Sequence, residues 1–99
     1  MHVISRKKLV EFYKHSGYQG AKGPLEAWYY EAKHAQWASP ADVKNHYRSA
    51  SILKNNRVIF NIAGNKYRLV VRINYASKTV FVRFIRTHQE YHKIDAEVI

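Results

Sequence analysis

The sequence predicts an α+β domain in which helices precede an antiparallel sheet along the chain. In the N-terminal half, apolar residues recur at spacings of three and four, which is typical of helices with one buried face. From Val58 onward, apolar and polar residues alternate, which is typical of strands buried on one side. With 99 residues, the chain has the length of one domain, and we predict a single domain over 1–99. The expected architecture is a layer of helices on one face of a sheet.

Three helices are predicted before the sheet. Each has an apolar stripe, and the stripes are Leu9, Phe12 and Tyr13, then Leu25, Trp28, Tyr29 and Ala32, then Val43 and Tyr47. Ser5 is a suitable N-cap for the first helix, and Gly17 is a suitable stop. Pro24 suits the first turn of the second helix. Ser39 and Asp42 form a capping-box-like pair that predicts the start of the third helix.

The predicted meander follows the helices. Three segments alternate and are rich in β-branched and aromatic residues: 58–62, 67–74 and 80–87. Residues 63–66 and 76–78 have hairpin lengths and turn-forming residues. Residues 3–4 predict a very short first strand, and 88–99 predict a short last helix.

Period two sorts the strand residues into two faces. One face is apolar and is expected to pack on the helices; it comprises Val58, Phe60, Ile62, Tyr67, Leu69, Val71, Ile73, Val80, Val82 and Phe84. The other face is expected to stay open; it comprises Ile59, Asn61, Arg68, Val70, Arg72, Phe81, Arg83 and Ile85. The open face is thus an apolar floor that carries an asparagine and three arginines.

The charge balance narrows the choice of partner. Lysines and arginines number 17 against 7 acidic residues, for a formal net charge of +10. A charge of this size favours nucleic acid, an anionic membrane surface or an acidic protein. The absence of cysteine excludes disulfides, thiol catalysis and thiolate metal sites. No apolar run approaches the ~20 residues that span a bilayer, and the N-terminus lacks a signal-peptide pattern. We therefore expect a cytoplasmic protein with no membrane partner.

Arginines on an apolar floor are suited to phosphate. A guanidinium donates two parallel hydrogen bonds, and a low local dielectric strengthens them. Arg68 and Arg83 are the first candidates for this role, and because they share this face we expect them to lie beside each other in one site with His88. Arg72 and Asn61 are further candidates. A plainer interpretation stays open, because arginines also solvate open sheet faces and Asn61 can simply satisfy the end of a strand.

His88 and Tyr91 follow the last predicted strand and lie beside the open face. Histidine titrates near pH ~6.5 and serves as base or acid at neutral pH, and tyrosine donates a hydrogen bond or stacks on a base. RNA cleavage by the RNA's own 2′-hydroxyl needs such groups and cations for the phosphorane, but no metal or other cofactor. A metal site is not expected, because only His88 and His92 have helical i, i+4 spacing and no acidic third ligand is placed. A lone histidine is also often structural, so the site is a hypothesis.

Five segments spread over nearly the whole chain form an ordered set. They are PLEAWY at 24–29, SPADVK at 39–44, NRVIFNI at 56–62, GNKYRLV at 64–70 and THQEY at 87–91. The set resembles the HigB family of toxins from bacterial type II toxin–antitoxin modules, in the RelE-like superfamily. The resemblance implies a RelE-like fold with a curved antiparallel sheet and metal-independent endoribonuclease action on mRNA, typically on the translating ribosome. It also implies a helix-turn-helix (HigA-type) antitoxin that neutralises the toxin.

The resemblance also transfers candidate site roles by position. The matched residues are Asn61, Lys66, Arg68, Arg83, His88 and Tyr91. Three positions depart from the family pattern. Ala63 stands where relatives often have Gly or Lys, Arg86 replaces a small residue, and His92 stands where Asp usually follows the tyrosine. Because of His92, the sequence leaves open which histidine moves the proton.

The sequence therefore predicts a toxin ribonuclease. In this hypothesis Arg68 and Arg83 hold phosphates, His88 transfers a proton, and Tyr91 donates to the substrate or stacks on it. Further RNA contacts are assigned to Arg57, Asn61, Lys66 and Arg72. Two other classes stay open: a non-catalytic RNA- or ribosome-binding module, and a protein-interaction domain whose arginines meet an acidic partner.

Overall fold

The computed structural model describes residues 1–15 and 17–99, and within them a five-stranded sheet carries the first three helices on one face. The elements in chain order are β1 (His2–Ile4), α1 (Arg6–Lys14), a 3-10 turn (Gln19–Ala21), α2 (Lys22–His34), α3 (Pro40–His46), β2 (Ser51–Ile52), β3 (Arg57–Ile62), β4 (Tyr67–Asn74), β5 (Thr79–Thr87) and α4 (His88–Tyr91). The strand order across the sheet is β1-β5-β4-β3-β2. The predicted α+β class is confirmed.

The sheet is mixed, because one edge strand is parallel to its neighbour. Strands β3, β4 and β5 form the predicted antiparallel meander. The predicted first strand pairs in parallel with β5, with Val3 opposite Val80. Strand β2 was not predicted, because two residues are too few to show alternation, and it extends the sheet by pairing with β3.

The helices bury the stripes that the sequence predicts. Leu9, Phe12 and Tyr13 of α1, Leu25, Trp28 and Ala32 of α2, and Val43 of α3 join the core on the sheet's helix-facing side. Aromatic rings tie α2 to β3, with the Trp28 and Phe60 ring centroids 5.4 Å apart. Burial of these side chains supplies most of the driving force for folding.

The helix ends agree only in part with the predicted signals. Ser39 caps α3 through a hydrogen bond from the Asp42 main-chain N–H to its Oγ, 3.4 Å long. Ser5 occupies the N-cap of α1 but makes no side-chain capping bond. Helix α1 ends at Lys14, ahead of Gly17, which adopts a φ of +90°. Single cap and stop residues therefore predict the ends of the helices less accurately than the apolar stripes predict the helices themselves.

A β-bulge in β5 changes which residues face the helices. Val71 lies opposite Val82 and Val70 lies opposite Phe84, so that Arg83 is an extra residue in the strand. One inserted residue reverses the alternation beyond it. Phe84 accordingly packs on the far side of the sheet, and Ile85 packs in the helix-side core. The sequence prediction for these two residues was wrong, because strict period two does not reveal a bulge.

The far face of the sheet is partly covered by the C-terminal segment. Ile94, Ala96 and Ile99 pack against Ile59 and Val70 of the sheet, and they form a second, smaller apolar cluster. The face that the sequence predicts to be open is therefore shielded over β3 and β4. None of the helices in the described residues is long and apolar enough to cross a membrane.

Candidate functional site

The turn between β3 and β4 fixes one end of the candidate site. The loop between the strands comprises the four residues 63–66, in which Ala63 and Gly64 both adopt positive φ, at 54° and 66°. This turn presents Lys66 at the surface and starts β4 so that Arg68 lies on the face away from α1 and α2. The hairpin predicted from GNKYR is confirmed.

Arg68 is 9% exposed, which is unusual for an arginine. Its Nη2 donates to the Asn65 side-chain oxygen at 2.9 Å, and its Nη1 donates to the Asn65 carbonyl at 3.3 Å. Asn65 thus holds the guanidinium in one orientation. Sequence reasoning left Asn65 as a turn residue and missed this positioning role, because spacing does not reveal which side chain folds back on which.

His88 is anchored at the other side of the same turn. Its main-chain N–H donates to the Lys66 carbonyl at 2.9 Å, which ties the start of α4 to the hairpin. Thr87 and Glu90 cap α4 with a reciprocal capping box. These bonds leave the imidazole of His88 beside Arg68 and Lys66.

His88 and His92 form a close pair on α4. Their Nε2 atoms are 3.0 Å apart, so one ring donates a hydrogen bond and the other accepts it. The His88 Nδ1 is buried and has no hydrogen-bond partner among the described residues. Partial desolvation, then the charge of Arg68, then that of His92 lower the pKa of His88 from its ordinary value. The lowered pKa favours the neutral imidazole of His88, which can act as a base.

A cavity of about 400 Å³ opens beside this pair. Its lining comprises Gly17, Tyr18, Asn65, Lys66, Tyr67, Thr87, His88 and Gln89. Tyr18 stacks on Phe12 with centroids 4.6 Å apart, which makes its ring a rigid wall of the cavity. Sequence reasoning missed Tyr18, because a single aromatic residue in a loop belongs to no periodic pattern. A nucleobase fits a cavity of this size and can stack on such a ring.

The remaining predicted residues lie outside this group. Asn61 Nδ2 donates to the Ser49 carbonyl at 3.4 Å. The Arg72 guanidinium lies 5.3 Å from the Phe81 ring centroid. Tyr91 is half-buried in the second apolar cluster, and its ring centroid is 5.7 Å from that of His92.

The sequence predicts that Arg83 lies beside Arg68, but the structure separates the two residues. The bulge gives the position opposite Arg68 to Arg86, whose guanidinium turns toward Phe12, 5.7 Å from the ring centroid. Arg83 and Arg57 instead share one acceptor, the main-chain oxygen of Ile99. The predicted single site is thus two groups: one at the hairpin with Lys66, Arg68, His88 and His92, and a second with Arg57 and Arg83.

No cluster of three or more histidine, aspartate and glutamate side chains that would suit a metal ion occurs in the ranges 1–15 and 17–99. The hairpin group provides the fixed guanidinium of Arg68, the exposed ammonium group of Lys66 and the paired imidazoles of His88 and His92. Such groups bind an anion and move protons.

The fold is an α+β domain with α1, α2 and α3 packed on one side of the sheet, and the family comparison gives its class as RelE-like. Residues 21–94 match the family described as HigB_toxin, the RelE-like toxic component of a toxin–antitoxin system, and the chain belongs to this family. The resemblance found in the five ordered motifs is confirmed, as is the prediction of a toxin of a toxin–antitoxin module.

One curated relative extends the comparison. The chain is 26% identical over 96 residues to the mRNA interferase HigB of Escherichia coli O6:H1 (strain CFT073), which covers 95% of this chain and 91% of the relative. The two proteins therefore correspond over nearly their whole lengths. The name of that relative describes an enzyme that acts on mRNA.

Proposed function

We propose that this toxin is a metal-independent endoribonuclease that cleaves mRNA, and that it does so on the translating ribosome. The observation that carries the proposal is the hairpin group: a buried arginine held by Asn65, next to two histidines whose Nε2 atoms are 3.0 Å apart. The name of the Escherichia coli relative supports RNA as the substrate. The net charge of +10 suits both mRNA and the ribosomal surface.

In the proposed reaction the 2′-hydroxyl of one nucleotide attacks the adjacent phosphorus. His88 accepts the hydroxyl proton, because its lowered pKa favours the neutral imidazole. The bond from phosphorus to the 5′-oxygen breaks, and a protonated imidazole, assigned to His92, donates a proton to that oxygen. The products are a 2′,3′-cyclic phosphate and a 5′-hydroxyl, so protons and electrons balance without an oxidant or a metal.

The cations have separate roles in this scheme. Arg68 lies in low-dielectric surroundings, where its charge stabilises the dianionic phosphorane more than it would in water. Lys66 is exposed on the turn and contacts a flanking phosphate. Tyr18 stacks on the nucleobase that enters the cavity, and Tyr91 orients His92 through ring contact. We also propose a helix-turn-helix antitoxin of the HigA type as the inhibitory partner, in line with the family.

The first test is cleavage of a defined mRNA in a translating extract, with EDTA-treated protein. We expect wild type to release fragments with cyclic phosphate ends, and we expect Arg68→Ala and His88→Ala each to lose about a hundredfold in rate or more. Lys7→Ala is the matched control, because the Lys7 side chain is 82% exposed on α1, where it pairs with Glu11. Its rate should stay within about twofold of wild type. Full cleavage by both folded site variants would refute the assignment.

A non-catalytic RNA- or ribosome-binding module is the alternative. Its supporting observation is that the donors of Arg68 are already engaged by the carbonyl and side chain of Asn65. Salt-dependent RNA binding with no cleavage, even with translating ribosomes, would favour this alternative.

A further inference from the structure

The sheet and the C-terminal segment that covers part of it, residues 94–99, carry opposite charges. Residues 51–87 contain eight basic side chains and no acidic one: Lys54, Arg57, Lys66, Arg68, Arg72, Lys78, Arg83 and Arg86. Residues 94–99 contain Asp95 and Glu97 and no lysine or arginine. An acidic segment therefore lies over a basic sheet, as an RNA strand would.

The segment docks through a small apolar contact. Ala96 is 6% exposed and packs with Ile59 and Val70. Ile94 and Ile99 are half-buried at the edges of the same cluster. This contact holds the segment over β3 and β4, on the same face as Arg68.

The segment also occupies the second arginine group. Arg57 donates to the main-chain oxygen of Ile99 from Nη2 at 2.8 Å and from Nε at 3.2 Å, and Arg83 donates to the same oxygen from Nε at 3.3 Å. Three N–H donors from two guanidinium groups converge on one oxygen. A non-bridging phosphate oxygen can accept the same three N–H donors, since guanidinium groups bind phosphate through charge-assisted hydrogen bonds.

Little else ties the segment to the sheet. Across the described chain, the main-chain hydrogen bonds of 92–99 to other main-chain groups stay within 90–99. Besides the two arginines, Asn55 donates from Nδ2 to the Glu97 carbonyl at 3.1 Å. No β-ladder has to break when the segment leaves, so its departure costs only these side-chain bonds and the apolar contact.

We propose that Arg57 and Arg83 form a second phosphodiester-binding subsite, which residues 94–99 fill until RNA displaces them. The subsite takes a backbone phosphate of single-stranded RNA, away from the hairpin group where cleavage is assigned. This inference rests on the proposed function, because it treats RNA as the ligand. It adds that the chain regulates its own RNA affinity.

The test compares two variants that add the same charge two residues apart. Ala96→Asp places a carboxylate in the apolar contact and should release the segment, whereas Val98→Asp changes a side chain that is 69% exposed. The probe is a fluorescent 2′-O-methyl oligoribonucleotide, which cannot be cleaved because its attacking hydroxyl is blocked. We expect Ala96→Asp to bind it about fivefold more tightly or better, since the open state becomes more populated. Val98→Asp should stay within about twofold of wild type.

Equal affinities in the two variants would overturn the inference while leaving RNA binding, and hence the proposed function, intact. Absence of binding by all forms of the protein would contradict both. Should Ala96→Asp fail to fold, a second pair decides: Asn55→Cys with Glu97→Cys in this cysteine-free chain. We expect the oxidised protein to bind the probe about fivefold more weakly or worse, and dithiothreitol to restore it. Undiminished binding when oxidised, or failure of the bond to close, would count against docking of the segment over β3.

Discussion

At the scale of single residues, the neighbours of His88 decide its chemistry. An exposed imidazole is about half protonated at its ordinary pKa, but His88 is partly desolvated and faces two further cationic groups, Arg68 and His92. All three effects act in the same direction and lower its pKa. A base that is neutral before substrate arrives requires no prior proton loss.

Replacing Arg68 should therefore move the titration of His88. We expect Arg68→Met to raise the pKa of His88 toward its ordinary value, because a positive neighbour disappears, and Arg68→Lys to leave it lowered, because the charge remains. NMR titration of the His88 ring protons measures both. A pKa that is the same in wild type and Arg68→Met would exclude the electrostatic coupling. In cleavage assays, the pH at which the base form appears should follow the same order.

The positive φ at Gly64 gives a second residue-scale prediction. An alanine at φ +66° is strained, and we expect Gly64→Ala to lower the free energy of unfolding by about 1 kcal/mol. Gly20→Ala is the matched control, since its φ is not positive and, apart from its chain neighbours, no described residue has an atom within 4 Å of the added Cβ. Urea unfolding of both variants measures the difference. Equal stabilities would mean that the turn relaxes to another geometry.

At the scale of elements, the bulge in β5 predicts that the strand tolerates the deletion of one particular residue. Arg83 is the extra residue, so deleting it should restore a regular ladder with β4 while Phe84 and Ile85 keep their faces. We expect this deletion to stay folded, with a free energy of unfolding within about 1 kcal/mol of wild type. Deleting Phe81 instead should unfold the protein, because it reverses the faces of neighbouring β5 residues. Thermal unfolding monitored by circular dichroism compares the two, and an unfolded Arg83 deletion would contradict the bulge.

The contact between α2 and the end of α3 predicts a contribution to stability that is lost at alkaline pH. The Tyr47 hydroxyl donates to Glu31, and burial, followed by that carboxylate, raises the pKa of Tyr47 above 10.0. Because folding favours the neutral phenol, this contribution is complete below pH 10 and is lost as pH rises beyond it. We expect Tyr47→Phe to be less stable than wild type by about 1 kcal/mol at pH 8. The two melting temperatures should converge above pH 10, and parallel curves would exclude this origin.

At the scale of the whole molecule, the charge should appear in the salt dependence of RNA binding. Each phosphate contact to single-stranded RNA adds about 0.7 to the slope of log affinity against log salt concentration. We expect Arg57→Gln and Arg83→Gln each to reduce the slope by about that amount, and Lys7→Gln, on the far side at α1, to leave it unchanged. Fluorescence anisotropy between about 50 and 200 mM salt measures the slopes. Equal slopes in all four proteins would place the two arginines outside the RNA path.

The sequence predicts the helices and strands in which apolar residues recur at a regular spacing. Stripes such as Leu25 and Trp28, and alternation such as that of Leu69 and Val71, reflect burial directly. The bulge at Arg83 is a single insertion that no period reveals, so the predicted pairing of Arg68 with Arg83 was wrong. The docking of Ala96 depends on contacts across more than twenty residues of sequence, which spacing does not encode. The residues assigned to RNA stay a prediction, which the variants above test.

The C-terminal segment has a consequence for turnover. A competitor tethered to its own site acts at an effective concentration that is millimolar for short flexible connections, whatever the amount of protein. Long RNA held in place by several phosphates can outcompete it, but a short product that has lost part of its contacts cannot. The segment should therefore close behind each cleavage and expel the fragments. Compared with Ala96→Asp, in which the segment is released, wild type should release its products faster and should be inhibited less by added short oligonucleotides.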